Sequence, residues 1–201
     1  MDHARTGTGA DGLGLCALIR EDLATHGGDW TRPGFRALAV YRFGVWRMRW
    51  PKAVRFPLSV LYRMMQRKVR NTYGIELEYS AKVGRRLTIE HQHGIAIHGC
   101  CVIGDDCFVR QGVTLGNKTL DRPYDAPRLG DRVNVGAGAK VLGAVSLGDG
   151  SQVGANAVVL KDVPGGAIAV GVPAVVKGVA REVGADPAAA PPRAFVEQGH
   201  E

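Results

Sequence analysis

RLGDRVNVGAGAKVLGAVSLGDGSQVGANAVV, residues 128–159, decides the fold. Aliphatic residues return every six positions, at Leu129, Val135, Val141, Leu147, Val153 and Val159. Glycine follows four of them, at Gly130, Gly136, Gly148 and Gly154. The residue four places after each aliphatic is small or β-branched: Val133, Ala139, Val145, Ser151, Ala157 and Val163. An ordinary strand alternates with period two and does not hold a six-residue phase for so long. A repeat of six instead describes one short strand and one turn, three of which close a triangular coil. The same pattern runs upstream through Ile97, Ile103, Val109 and Leu115, with Cys101, Cys107 and Val113 in the small positions. The chain is therefore expected to be mainly β, a left-handed parallel β-helix over residues 73–178.

Outward from that stretch the composition agrees. Among 201 residues, 28 are glycine, about twice the ordinary share, as repeated tight turns require. The net charge of +7 is confined to the first seventy residues, with 13 Lys+Arg against 5 Asp+Glu; the remainder carries 13 against 14. No aromatic-interleaved basic motif or groove-reading helix accompanies it, so no nucleic-acid partner is expected. Cys16, Cys100, Cys101 and Cys107 form no CxxC pair and no zinc spacing, and read as reduced thiols of a cytoplasmic protein. No signal pattern opens the chain and no apolar run reaches eighteen residues, so no membrane segment is expected.

Residues 12–72 read as a helical cap with period 3.6. Cys16, Ile19 and Leu23 form one stripe, stopped at Gly27-Gly28; Phe35, Leu38, Tyr41, Val45 and Met48 form a second, stopped at Pro51. Pro57 is expected to open a third helix with Leu58, Leu61, Met65 and Val69 on its apolar face. The termini, 1–11 and the Ala/Pro-rich 179–201, read as disordered.

Sites on a regular solenoid are expected where the repeat fails. It fails twice. Between Ile89 and Ile97 the frame slips by two residues across EHQHGIAI, and between Leu115 and Leu129 by two more, with a polar loop (116–128) leaving the coil. About one coil apart, the two breaks are expected to lie close together. The first holds Glu90, His91 and His93, with Glu76 about one coil beneath His91. A carboxylate accepting from one ring nitrogen would leave the other as a base near neutral pH.

From GIELEYSAKVGRRLTIEHQHGIAIHG (74–99) through RQGVTLGN, GAGAKVLG, GANAVVLKDVP and GVPA, the chain resembles the serine O-acetyltransferase branch of the hexapeptide-repeat acyltransferases. The resemblance implies an acetyl-CoA-dependent O-acetyltransferase, with L-serine as acceptor and O-acetyl-L-serine as product. It implies His91 as catalytic base, Glu76 as the acid orienting it, and Glu90 and Gln111 at the acceptor. Glu76 and Glu90 stand where the family usually has aspartates. Gly116, Ala137, Ala139, Ala155, Lys161 and Pro173 match the family's groove for acetyl-CoA, the co-substrate. No metal is expected. A homotrimer follows from the family, possibly a dimer of trimers.

Two features depart from the family. Its Arg-His pair, which contacts the acceptor carboxylate, is replaced by Asp125 and Ala126, leaving Arg122 or Arg128 as substitutes. The chain also ends EQGHE, without the terminal Ile that docks into cysteine synthase, so that complex is not expected. Three other readings remain open at this stage. They are acetylation of a sugar or natural-product hydroxyl or amine, a metal enzyme using His93 and His98, and a non-catalytic scaffold.

Overall fold

The computed structural model describes residues 12–179. The disorder expected at 1–11 and in the tail falls outside that span, except for Val179, which ends the last strand.

Helices α1 (Leu15–Thr25), α2 (Pro33–Trp46) and α3 (Lys52–Tyr73) form the cap, with a 3-10 turn at Arg47–Arg49 joining the last two. Pro33 opens α2, where its fixed φ suits a helix start and its missing N–H is no loss. Gly74 closes α3 at φ 61°, a left-handed position that a side chain would strain. Helix α3 does not begin at Pro57. It begins at Lys52 behind Pro51, and Pro57 sits inside it. The apolar stripes are rotated as well. In α1 the buried residues are Leu18 and Asp22, while Cys16 is exposed, because Asp22 is drawn inward to an arginine of α2. In α3, Tyr62 and Val69 are buried and Leu61 faces outward.

The coils follow in order. The first holds β1 (Ile75–Leu77), β2 (Lys82–Val83) and β3 (Thr88–Glu90); the second β4 (Ile95–Ile97), β5 (Val102–Ile103) and β6 (Phe108–Arg110). The third holds β7 (Thr114–Gly116), β8 (Arg128–Leu129) and β9 (Asn134–Val135); the fourth β10 (Lys140–Leu142), β11 (Ser146–Leu147) and β12 (Gln152–Val153). Strands β13 (Val158–Val159), β14 (Ala167–Val170) and β15 (Val175–Val179) finish the stack. Three sheets result. Face one is β1-β4-β7-β10-β13, face two β2-β5-β8-β11, and face three β3-β6-β9-β12-β14, parallel until β15 folds back antiparallel on β14.

Every aliphatic of the six-residue frame and every small residue four places on is buried, forming one column of core down the coil. Undisturbed coils pair residues eighteen apart, as Val141 with Val159, Leu129 with Leu147 and Val135 with Val153. Pairs spanning His91 are twenty apart (Ile89 with Val109), and pairs spanning the loop twenty-six (Ile103 with Leu129). The corner between faces two and three is tied vertically by carboxylates. Asp105, Asp131 and Asp149 each accept the backbone N–H of the residue one coil below, Arg85, Asp105 and Asp131, at 2.8–2.9 Å. A Cβ on Gly104 would stand 2.5 Å from the Gly130 carbonyl, so this corner closes only with glycine there.

The open lower end of a solenoid carries unpaired strand groups. Here the cap satisfies them. The Tyr41 hydroxyl donates to the Ala81 carbonyl (2.8 Å) and accepts the Val83 N–H (3.1 Å). His26 Nε2 accepts the Ile89 N–H at 3.3 Å, while its Nδ1 donates to the Asp22 carbonyl at 2.7 Å. Among the described residues no helix is long and apolar enough to cross a membrane.

Candidate active site

The corner between faces three and one is a continuous column. The His93 N–H donates to the Tyr73 carbonyl (2.8 Å), Gly112 to His93 (3.0 Å), Gly138 to Gln111 (2.8 Å) and Asn156 to Ala137 (2.8 Å). Glu90 is in register with Arg110. A Cβ on Gly94 would meet the Gly112 Cα at 3.3 Å, so Gly94 lies under Gly112. Between these two rungs the lower coil threads His91, Gln92 and His93 where the upper threads Gln111 alone. The two extra residues swell the corner outward.

Left-handed backbone at a corner belongs to the fold: Arg86, Asp106, Arg132 and Asn156 adopt it singly. The swollen corner differs in holding two such residues, His91 at φ 64° and His93 at φ 73°. This is an unfavourable arrangement for non-glycine residues, held in place by the rungs above and below. His91 is exposed, and its imidazole has no hydrogen-bond partner among the described residues. Above it the column carries Gln111, then the small side chains of Ala137 and Ala155, which project little from the coil edge.

The two acids stand apart from the imidazole. Glu76 is in register with Ala96 on face one, and the residue under His93 is Tyr73. Its carboxylate faces Arg70 of α3 at 3.7 Å, both half-exposed, and no hydrogen bond joins Glu76 to His91 among the described residues. Glu90, next to His91 in the chain, pairs with Arg110 at 3.3 Å.

The expectation that both breaks adjoin is corrected by the winding. The polar loop leaves after β7 and returns at β8, at the corner between faces one and two, a whole face away from His91. Arg122 lies on that loop, 3.8 Å from Asp125, and Arg128 is exposed on face two. Neither reaches His91 within one chain. Ala126, in contrast, is buried and seats the loop on the core.

Of the residues assigned to acetyl-CoA, Ala137 and Ala155 sit on the His91 column. Ala139 does not: its methyl is fully enclosed, and its N–H and C=O bond to Gly136 and Thr114. Gly116 is also buried, at the end of β7. Lys161 and Pro173 line a cavity of about 500 Å³ at the top of the coil with Lys118 from the loop. His93 and His98 stand at opposite ends of β4, His93 against Gln92 (3.2 Å) and His98 Nδ1 accepting from the Cys100 N–H (3.2 Å). No group of three or more His, Cys, Asp or Glu is placed to hold a metal among the described residues.

Three residues near these sites escaped the reading of the sequence: Arg70, Arg110 and Lys118. Arg110 had a signal, since it occupies an outward position of the repeat directly before Gln111. Its partner Glu90 is twenty positions away, which a six-residue frame does not reveal.

Comparison with known proteins agrees with the fold. Residues 126–161 match the family model for the bacterial transferase hexapeptide, six repeats. The chain is 42% identical over 144 residues to a serine acetyltransferase of Helicobacter pylori strain J99, covering 71% of this chain and 80% of that protein. It is 39% identical over 146 residues to the serine acetyltransferase of Mycobacterium tuberculosis, covering 73% of this chain and 61% of that one. Among solved structures, serine acetyltransferase from Vibrio cholerae superposes with a TM-score of 0.71 at 27% identity, over 82% of this chain and 66% of that chain. The enzyme from Brucella abortus, in complex with coenzyme A, gives 0.70 at 25% identity, over 82% and 68%.

Proposed function

The chain belongs to the serine acetyltransferase family, and from that premise we propose that it transfers the acetyl group of acetyl-CoA to the hydroxyl of L-serine, yielding O-acetyl-L-serine and free CoA. The observation that carries this reading is the swollen corner, which holds His91 exposed at the foot of a lane of small residues.

In this reading His91 takes the proton of the serine hydroxyl. The oxygen attacks the thioester carbonyl, and the carbon–sulfur bond of the tetrahedral intermediate breaks. The imidazolium then returns its proton to the departing CoA thiolate, leaving His91 neutral for the next turnover. Acid–base help of this kind contributes about 10²–10⁴ in rate, the remainder coming from positioning. Ala137 and Ala155 give the pantetheine arm a path against backbone, and Lys161 with Lys118, on the corner between faces one and two, supplies positive charge for phosphate from a neighbouring chain. For Glu76 to orient His91, its pair with Arg70 has to open and its carboxylate has to turn from face one towards the corner. Opening the pair costs little, because a half-exposed pair at 3.7 Å is worth about 0–1 kcal/mol.

Because the loop and the His91 column lie on different corners, a site that uses both needs two chains. We infer a homotrimer in which one chain's loop approaches its neighbour's His91, and a cytoplasmic setting in keeping with four unpaired thiols.

The test is release of CoA thiol from acetyl-CoA in the presence of serine, other amino acids and sugars. Serine turnover that falls about 10²–10⁴-fold in His91→Asn, with the trimer intact, is the expected result. Turnover of a sugar but not of serine overturns the acceptor, and an unchanged rate in His91→Asn overturns the base.

A further inference from the structure

An acceptor amino acid carries a carboxylate, and the positions that hold it in the family are Asp125 and Ala126 in this chain. Neither can do so, since one is anionic and the other is a buried methyl. Of the cations offered instead, Arg122 is 73% exposed and turned to Asp125, and Arg128 projects from face two. Arg110 stands differently. It lies on face three directly above Glu90, the residue preceding His91. Strands of neighbouring coils are about 4.8 Å apart, so its guanidinium is within one coil of the swollen corner.

We propose that Arg110 binds the acceptor's carboxylate and that Glu90, which the family resemblance already places at the acceptor, also positions Arg110. This deepens the proposed function and rests on it. The guanidinium is fixed from three sides. Nε faces Glu90 at 3.3 Å, Nη1 donates to Asn134 Oδ1 at 2.9 Å, and the carbon at its centre lies 4.4 Å from the middle of the Phe108 ring. Nη2 has no partner among the described residues, and the side chain is 34% exposed. A cation held this way has surrendered its rotamer freedom before the ligand arrives, so a charge-assisted bond to a carboxylate costs little ordering. Glu90, 38% exposed, has a second carboxylate oxygen without a partner among the described residues. One positive and one negative group, one coil apart and next to the base, match the zwitterion of an α-amino acid. A neutral sugar brings no charge of its own to either group and leaves them paired only with each other.

The experiment compares L-serine with L-serinamide, which keeps the hydroxyl and amine but lacks the carboxylate charge. Initial rates of CoA release are measured for the wild type, Arg110→Leu and Arg110→Lys. The wild type should prefer serine by about 100-fold in kcat/KM, as expected for a site built around a charged partner. Arg110→Leu should raise the KM for serine about 10- to 100-fold, leave that for acetyl-CoA unchanged and erase the preference. Arg110→Lys should recover part of it, as a point charge without the planar fork. If Arg110→Leu lowers activity on both acceptors alike, or leaves the KM for serine unchanged, the assignment fails while the proposed function stands. If the wild type uses serine and serinamide equally, the carboxylate is not read and the assignment fails without recourse to any variant. If the wild type acetylates neither, the proposed function fails, and the assignment with it.

Discussion

Arg42 and Asp22 meet inside the cap with Nε and Oδ2 2.9 Å apart, both side chains essentially out of solvent. The same guanidinium donates to the carbonyls of Val83 (3.0 Å) and Gly84 (2.7 Å), so one cation joins α1, α2 and the open end of the first coil. A buried pair of this kind is weak evidence for net stability, but removing one partner strands the other. Arg42→Met should therefore destabilise the protein by about 3–5 kcal/mol. Asp22→Asn together with Arg42→Met should recover part of the loss. Thermal unfolding of the three variants checks both statements.

A second tie between cap and coil responds to pH. Glu21 bonds Arg85 at 2.6 Å and Arg86 at 3.2 Å, and Arg86 continues to Asp106. The Arg85 guanidinium, then Arg86, hold the Glu21 carboxyl below its ordinary range, and Arg86 does the same for Asp106. A lowered folded-state value means stabilisation fully present above the unfolded value, 4.5 for Glu21, and lost as pH falls through the folded one. Glu21→Gln should melt earlier than the wild type at pH 7. The gap between them should close progressively below about pH 4.5.

Thiol chemistry should divide the cysteines in two. Burial pushes the Cys101 and Cys107 thiols up to about 12, inside the coil, while Cys16 and Cys100 are exposed. Reactivity follows the thiolate and its access. A chromogenic disulfide reagent at pH 8 should titrate two thiols in the native protein and four after unfolding. Fast reaction of all four in the native state would contradict the inward placement of the small positions.

Deleting Gln92 and His93 together should restore the eighteen-residue spacing of an undisturbed coil. The rung from Tyr73 to Gly112 would then pass through His91 in an ordinary corner. The expected outcome is a folded protein with a melting temperature near that of the wild type and no acetyl transfer, read by circular dichroism and CoA release. Retained transfer would detach activity from the swollen corner.

The lane above His91 can be closed without touching the core. Ala155 is exposed at its corner, so Ala155→Phe adds a ring outside the coil. It should leave thermal stability within about 0.5 kcal/mol of the wild type. The KM for acetyl-CoA should rise about tenfold or more, corresponding to about 1.4 kcal/mol of lost binding. The same substitution at Ala139 should instead prevent folding, because that methyl is enclosed by the core.

The swollen corner of the candidate site is legible in the chain alone. His91 was marked by a failure of phase, and a phase failure in a solenoid is a local event visible in ten residues. The stripes of the cap were read less well. Asp22 and Tyr62 face inward where Cys16 and Leu61 were expected, because a buried ion pair and a ring stacked near Arg47 (4.4 Å) outweigh the apolar count. A count of about one coil puts Glu76 beneath His91. The register puts it under Ala96, because fifteen residues fall three short of even an undisturbed coil and the two extra residues at the corner shift the partner two further on.

By itself the sequence determined the coil, its inward residues and the two places where it breaks. A solenoid's core contacts recur at one short separation, and that recurrence is printed in the order of residues. Only the folded chain decided which corner each break occupies, because spacings of twenty and of twenty-six leave the same remainder in a frame of six. It alone also decided that Glu90 meets Arg110 and that the cap closes the open end. Those contacts join residues whose separation follows no period, and they exist only after the coils have stacked.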